Sequence, residues 1–194
     1  MLVGVLALQG DVQEHVTALR HLGCEVRLIK GPADLKGMDA LVLPGGESTT
    51  MSLLLGLTGL AEPLREWTAA GRPTLGTCAG LVLLADQVLD GRSDQVGLGG
   101  LEVSVRRNGY GRQRFSFETE VDAPRLGGVF EAVFIRAPRI VEVGSRVEVV
   151  GETIGSEPSE IVVVEQGALI GCAFHPELTS DLRLHERLLE LASS

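Results

Sequence analysis

Hydrophobic positions fall into short runs and helix-spaced stripes that alternate through residues 1–90. Residues 2–8 form a nearly continuous apolar run, the pattern of a strand buried on both faces of a parallel sheet. The run stops at Gln9-Gly10. Asp11 can cap a helix whose apolar residues Val12, Val16, Leu19 and Leu22 share a face, and Gly23 stands where helices commonly end. Strands are predicted over 26–29 and 40–43, the second running into Pro44-Gly45-Gly46-Glu47-Ser48-Thr49-Thr50. Helices are predicted over 49–57 and 61–70. An apolar strand from Pro73 then passes through Gly76-Thr77-Cys78-Ala79-Gly80 into an apolar helix. Strands alternating with helices imply a right-handed, doubly wound sheet, which binds ligands at the carboxyl ends of its strands. Gln9-Gly10, residues 44–48 and residues 76–80 are therefore expected on one rim.

The pattern changes after residue 100. Segments 101–105, 115–121, 129–135, 140–143 and 147–150 are short and alternating, split by Gly, Pro and Asn, and read as an antiparallel addition. Residues 160–165 and 168–174 read as a hairpin around Gln166-Gly167, and a helix over 181–191 follows. The fold class expected is α/β: a single-domain three-layer sandwich over residues 1–194, flavodoxin-like, with a mostly parallel sheet and an antiparallel extension.

Composition narrows the function. With 194 residues, 44% of them hydrophobic, the chain can bury a sizeable core as one compact domain. A formal net charge of -9 and no basic patch argue against a nucleic-acid surface. No apolar run approaches a membrane span, and the first residues lack a basic, cleavable signal pattern, so a cytosolic, membrane-free protein is expected. Cys24, Cys78 and Cys172 cannot all pair and have no metal-ligand spacing, which fits a reducing compartment and predicts no metal site.

Three stretches carry candidate chemistry. Glycines flank Cys78 at a tight strand-to-helix bend, which presents one thiol to the N-terminal end of a helix. The bland alternative is a small buried hydrophobe. Near the other end, a strand runs into Phe174-His175-Pro176-Glu177, and residues two apart in extended chain face the same way. His175 and Glu177 are thus spaced as a base and its orienting carboxylate, although such a pair also arises by chance. His15, His21 and His185 are assigned to solvated or partly buried helix faces. The Pro44-Gly45-Gly46-Glu47-Ser48 loop lacks the lysine and spacing of a phosphate-binding loop, so nucleotide binding is not expected. Its glycines can instead offer an N–H at Gly46 which, with that of Ala79, would form an oxyanion hole; alone, the loop also reads as a plain turn.

Together, Pro-Gly-Gly-Glu-Ser, Gly-Thr-Cys-Ala-Gly and Phe-His-Pro-Glu resemble the triad-type, class I glutamine amidotransferases. Leu6-Ala7-Leu8-Gln9-Gly10, the stretch from Arg107-Asn108 to Gln113, Phe134-Ile135-Arg136-Ala137-Pro138 and the continuation to Leu178-Thr179 are similar to the glutaminase subunits of pyridoxal 5'-phosphate synthases. Asp11 stands where those proteins commonly have a small residue, and Gly109-Tyr110 where a Ser-Phe is expected. The resemblance implies that Cys78 is the nucleophile, His175 the general base and acid, and Glu177 the orienting carboxylate. It implies that Gly46, Glu47 and Ser48 line a glutamine site, that Arg107 contacts the substrate, and that Ile135 and Arg136 hold its amino-acid end. It further implies L-glutamine as substrate, no cofactor, and a barrel-shaped synthase subunit as partner in a heteromeric complex. That partner would receive the ammonia, build pyridoxal phosphate, and set the Gly-Gly peptide of an otherwise nearly idle glutaminase. Rival readings are a glutaminase serving another acceptor, such as that of imidazole glycerol phosphate synthase, and a cysteine hydrolase, sensor or vestigial binding module of similar fold.

Overall fold

The structure, a computed structural model, describes residues 1–92, 95–109 and 116–194. Strand β1 (Leu2–Leu6) leads through Gln9-Gly10 into α1 (Val12–His21), and β2 (Glu25–Ile29) and β3 (Ala40–Leu43) follow. Next come α2 (Ser48–Thr58), α3 (Ala61–Ala69), β4 (Thr74–Thr77) and the short α4 (Ala79–Leu84). β5 (Ala85–Val88), β6 (Leu101–Arg106), β7 (Ser116–Asp122), β8 (Phe130–Ile135), β9 (Arg139–Val143) and β10 (Glu148–Thr153) occupy the middle of the chain. β11 (Ile161–Gln166), β12 (Leu169–Cys172) and α5 (Arg183–Ala192) complete it.

A nine-stranded sheet runs in the order β2-β1-β3-β4-β12-β11-β10-β7-β8. From β2 to β12 every pairing is parallel, and from β12 onward every pairing is antiparallel. The parallel strands are the apolar runs of the sequence: Val3, Val5, Leu41, Val42, Leu75 and Ile170 are all buried. Burial of both faces explains why these strands do not alternate. β12 is the hinge between the two regimes, with Cys172 opposite Thr77 of β4 on one side and Val163 of β11 on the other. Consequently the carboxyl ends of β1, β3, β4 and β12 release Gln9, Gly45, Cys78 and His175 onto one rim, as the strand–helix alternation predicts.

The middle of the chain departs from a single antiparallel addition. β7, β8 and β10 do extend the main sheet, but β6 and β9 join β5 in a separate three-stranded sheet. β5 was not predicted because Ala85-Asp86-Gln87-Val88 has neither alternation nor an apolar run; it is a strand through its parallel pairing with β6. The helix after Cys78 is also only six residues long, since the chain turns into β5. The beginning of the predicted 115–121 strand, and residues 110–113 of the Arg107-to-Gln113 motif, lie outside the described residues. No helix among the described residues is long and apolar enough to cross a membrane.

Aromatic packing anchors the end of β12. Phe134 of β8 stacks on Phe117 at 4.7 Å and meets Phe174 at 5.5 Å. The His175 amide donates to the Val133 carbonyl at 2.9 Å, so the residue that follows Phe174 is held from β8 as well as from β12.

Candidate active site

Cys78 occupies the turn between β4 and α4 with φ 49° and ψ -102°, a left-handed backbone that costs a non-glycine residue about 1–3 kcal/mol. The bend persists because its surroundings leave no alternative. The Cys78 amide donates to the Cys172 carbonyl at 2.9 Å, and a Cβ at Gly80 would lie 2.0 Å from the Leu43 carbonyl oxygen. Cys78 is buried, with its sulfur facing the carbonyl of Ile135 at 3.8 Å, and it borders a cavity of about 390 Å³. That volume is at the small end for ligand sites, which run from roughly 300 to 1,000 Å³.

His175 and Glu177 reach the site differently from the extended pair expected. The strand ends at Cys172, His175 stands immediately before a single 3-10 turn over Pro176–Leu178, and Pro176 favours that turn at its first position. The turn brings the Glu177 Oε1 to 2.8 Å from His175 Nδ1. Asp11 Oδ2 approaches the same nitrogen at 3.2 Å. His175 and Cys78 border the same cavity. Burial pulls the His175 pKa down, but Cys78 and Glu177 outweigh it and raise it to about 10. Burial likewise raises the pKa of Glu177, against the opposing bond from His175. Asp11, His175 and Glu177 bring ligand-type atoms within 4.8 Å of one another. What gathers them is Nδ1, which donates to Glu177 and so has no lone pair to offer a cation.

The cavity is bordered by every other residue singled out in the sequence: Gly46, Glu47, Ser48, Ala79, Arg107, Ile135 and Arg136. Gln9, expected on the rim but given no role there, fixes the first loop. Its Oε1 accepts from the Glu47 amide at 2.7 Å and would lie 2.4 Å from a Cβ at Gly46, whose φ is +152°. Ala79 begins α4, so its amide is one of the first-turn donors without an intrahelical acceptor. Glu47 caps α2, accepting from the amides of Thr49 at 3.0 Å and Thr50 at 2.7 Å. Burial opposes ionisation there, yet these donors and the threonine hydroxyls lower its pKa to about 2. Arg107 donates to Glu47 Oε1 at 3.0 Å, so the loop after β6 is joined to the loop after β3 across the cavity. Arg136 is exposed, with φ 45°, and forms no ion pair seen among the described residues.

Behind Glu177 the structure corrects the reading of two histidines. His21 is exposed as expected, but His15 and His185 have no solvent-accessible surface. His15 Nε2 lies 3.3 Å from Glu177 Oε2 and 3.2 Å from Thr77 Oγ1, and its Nδ1 lies 2.9 Å from His185 Nε2. Spacing could have revealed this: Val12, His15, Val16 and Leu19 fall at i, i+3, i+4 and i+7, which places His15 on the apolar stripe of α1. Asp11, expected to cap that helix, makes no side-chain cap bond; its carboxylate is turned to His175 instead.

The sequence profile of the SNO glutamine amidotransferase family matches residues 5–193. A protein of Clavibacter sepedonicus named "Pyridoxal 5'-phosphate synthase subunit PdxT" is 51% identical over 191 residues, covering 98% of this chain and 90% of that protein. One of the same name from Corynebacterium jeikeium is 50% identical over 191 residues, covering 98% and 96%. A solved structure titled "Crystal structure of glutamine amidotransferase" superposes with a TM-score of 0.91 at 44% identity, covering 99% of each chain.

Proposed function

Because the chain belongs to the SNO glutamine amidotransferase family, we propose that it hydrolyses the side-chain amide of L-glutamine as the glutaminase subunit of a pyridoxal 5'-phosphate synthase. The observation that supports this is an imidazole 2.8 Å from a buried carboxylate, on the same cavity as a cysteine of positive φ. The Cys78 sulfur, its proton taken by His175, attacks the carboxamide carbon. Amides of Gly46 and Ala79 receive the developing oxyanion. His175 returns its proton to the departing nitrogen, and ammonia leaves a glutamyl thioester. His175 then takes a proton from water, hydroxide adds to the thioester carbon, and collapse releases glutamate and restores the thiol. Glu177 accepts from Nδ1 throughout and stabilises the imidazolium. The reaction consumes one water and requires no metal or organic cofactor.

The charges around the cavity suit a zwitterionic amino acid. Arg136, with Ile135, would hold the amino-acid end, since a guanidinium pairs with a carboxylate through two parallel bonds. Arg107, Glu47 and Ser48 would complete the glutamine site. In this reading residues 1–194 act as one glutaminase domain in the cytosol, and the ammonia passes to a barrel-shaped synthase subunit. The Gly45–Gly46 peptide supports control by that subunit. It lies against the catalytic ring, since a Cβ at Gly45 would be 2.4 Å from His175 Cε1, and glycines leave it free to turn over.

The test is glutamate release by the chain mixed with its cognate synthase. Cys78→Ala is expected to reduce release to background while Cys24→Ala retains it; turnover by the Cys78 variant would overturn the assignment. Equal rates with and without synthase would remove the proposed control.

A further inference from the structure

We propose that His15 is a positioning residue for Glu177, locked in one tautomer by His185, so that a buried line of groups runs His185–His15–Glu177–His175. The inference rests on the Cys78–His175–Glu177 reading above. The Glu177 side chain has no accessible surface, and its Oε1 is used by His175. Its Oε2 has no well-directed hydrogen bond among the described residues. The nearest nitrogen, His15 Nε2 at 3.3 Å, is shared with the Thr77 hydroxyl at 3.2 Å.

Of the two neutral patterns, one leaves less unpaired. A proton on His15 Nδ1 would aim the Nε2 lone pair at a carboxylate and leave the proton of His185 on its Nδ1, which has no partner. With the proton on His15 Nε2, that N–H donates to Thr77 Oγ1 and lies beside Glu177 Oε2 at 3.3 Å, and Nδ1 accepts from His185 Nε2–H. The unpartnered His185 Nδ1 is then only a bare acceptor, the cheaper of the two omissions. Both rings stay neutral. Burial, and after it the repulsion a charged His15 would meet from a protonated His185 or His175, lowers the pKa of His15 well below the ordinary value, and burial alone lowers that of His185 to about 4. His15 therefore supplies a dipole without competing with His175 for the carboxylate charge. His15, Thr77 and His185 come from α1, β4 and α5, so Glu177 in the Pro176–Leu178 turn is backed by parts of the chain far apart in sequence.

The groups facing Glu177 are His175 and Asp11 on the cavity side, His15 with His185 behind it, and Cys172 from the end of β12; Cys78 acts through His175. Three measurements on the full chain test the role. In wild-type protein labelled with ¹⁵N-histidine, His15 is expected as the neutral Nε2–H tautomer from pH 6 to 9; the Nδ1–H tautomer or an imidazolium overturns the proposal. His15→Leu is expected to shift the acid limb of Cys78 alkylation by iodoacetamide upward by about one pH unit, because a less stabilised carboxylate supports the imidazolium less. With the synthase present, the same variant is expected to lower kcat by roughly 10- to 100-fold with KM within about twofold, and His15→Gln, whose amide can donate from near the Nε2 position, to recover kcat to within about threefold. Equal losses in the Leu and Gln variants with an unshifted alkylation profile would make His15 mere packing and overturn the proposal. A wild-type chain that releases no glutamate would sink the glutaminase reading instead, leaving the tautomer and alkylation results to decide on His15.

Discussion

The two sides of the His175–Glu177 pair are built on opposite principles. On the cavity side stand ionised groups that are partly exposed and paired with one another: Arg107 and Glu47 are joined at 3.0 Å with side chains 19% and 48% accessible, and Asp11 is 40% accessible. On the inner side stand His15, Thr77 and His185, all without accessible surface. Exposed ion pairs contribute little net free energy, so the cavity side can exchange partners when a charged ligand arrives. Buried polar groups exchange nothing, because breaking any one of them strands another in a low-dielectric interior. The lesson is a division of labour in which charged groups face the cavity and neutral polar groups back the His175–Glu177 pair from within.

Glu177→Gln breaks the pair where the two sides meet and has the largest expected effect. It keeps an acceptor for His175 Nδ1 but removes the charge, and kcat is expected to fall by roughly 10²- to 10⁴-fold with KM nearly unchanged. A steady-state assay in which KM rises instead would place Glu177 on the binding side. Next comes the pH dependence of stability. His15 and His185 have pKa values depressed on folding, so the unfolded chain binds more protons than the native one as pH falls below about 6.5. Stability is fully present above that pH and is lost toward and below the folded pKa, about 4 for His185, with a slope of up to ~1.4 kcal/mol per pH unit for each histidine. His175 acts oppositely: its raised pKa stabilises below about 6.5, and that contribution fades as pH rises through about 10. Urea unfolding of His185→Leu between pH 7 and 4.5 should show a flatter acid slope, and an unchanged slope would deny the neutral, buried character of the inner side.

Arg136→Ala is expected to raise KM for glutamine by roughly 10-fold with kcat held within a few-fold, the loss of one charge-assisted bond to a carboxylate. A fall confined to kcat would move Arg136 out of the binding group. The smallest effect belongs to Asp11→Asn. Although it lies 3.2 Å from His175 Nδ1, Asp11 is half exposed and Glu177 already accepts from that nitrogen. Its replacement is expected to alter kcat by less than about fivefold.

How much of this was legible follows the same division. Strand-to-helix alternation and glycine placement announce Cys78, Gly46 and the shared rim, because tight turns and buried parallel strands demand particular residues locally. The spacing of His175 and Glu177 was also visible, but the turn that joins them depends on Pro176, and extended geometry misdescribes it. The inner side was not read, since a histidine within a helix looks polar until its place on the apolar stripe is counted. β5 was illegible for another reason: Ala85-Asp86-Gln87-Val88 has no strand pattern of its own and takes its conformation from β6. Glu47 and Arg107 were marked only by the family resemblance, and their pairing at 3.0 Å between loops 60 residues apart was not marked at all.

Helix α1 carries Asp11 at its entrance and His15 one turn further on, four residues or about 6 Å along the axis. The first touches the imidazole from the open side and the second touches its carboxylate from within. The helix is thus a rigid lever with two points of purchase on a single proton-carrying pair. Both contacts therefore depend on the placing of one helix, and a substitution that moves α1 moves both ends of the pair's surroundings at once.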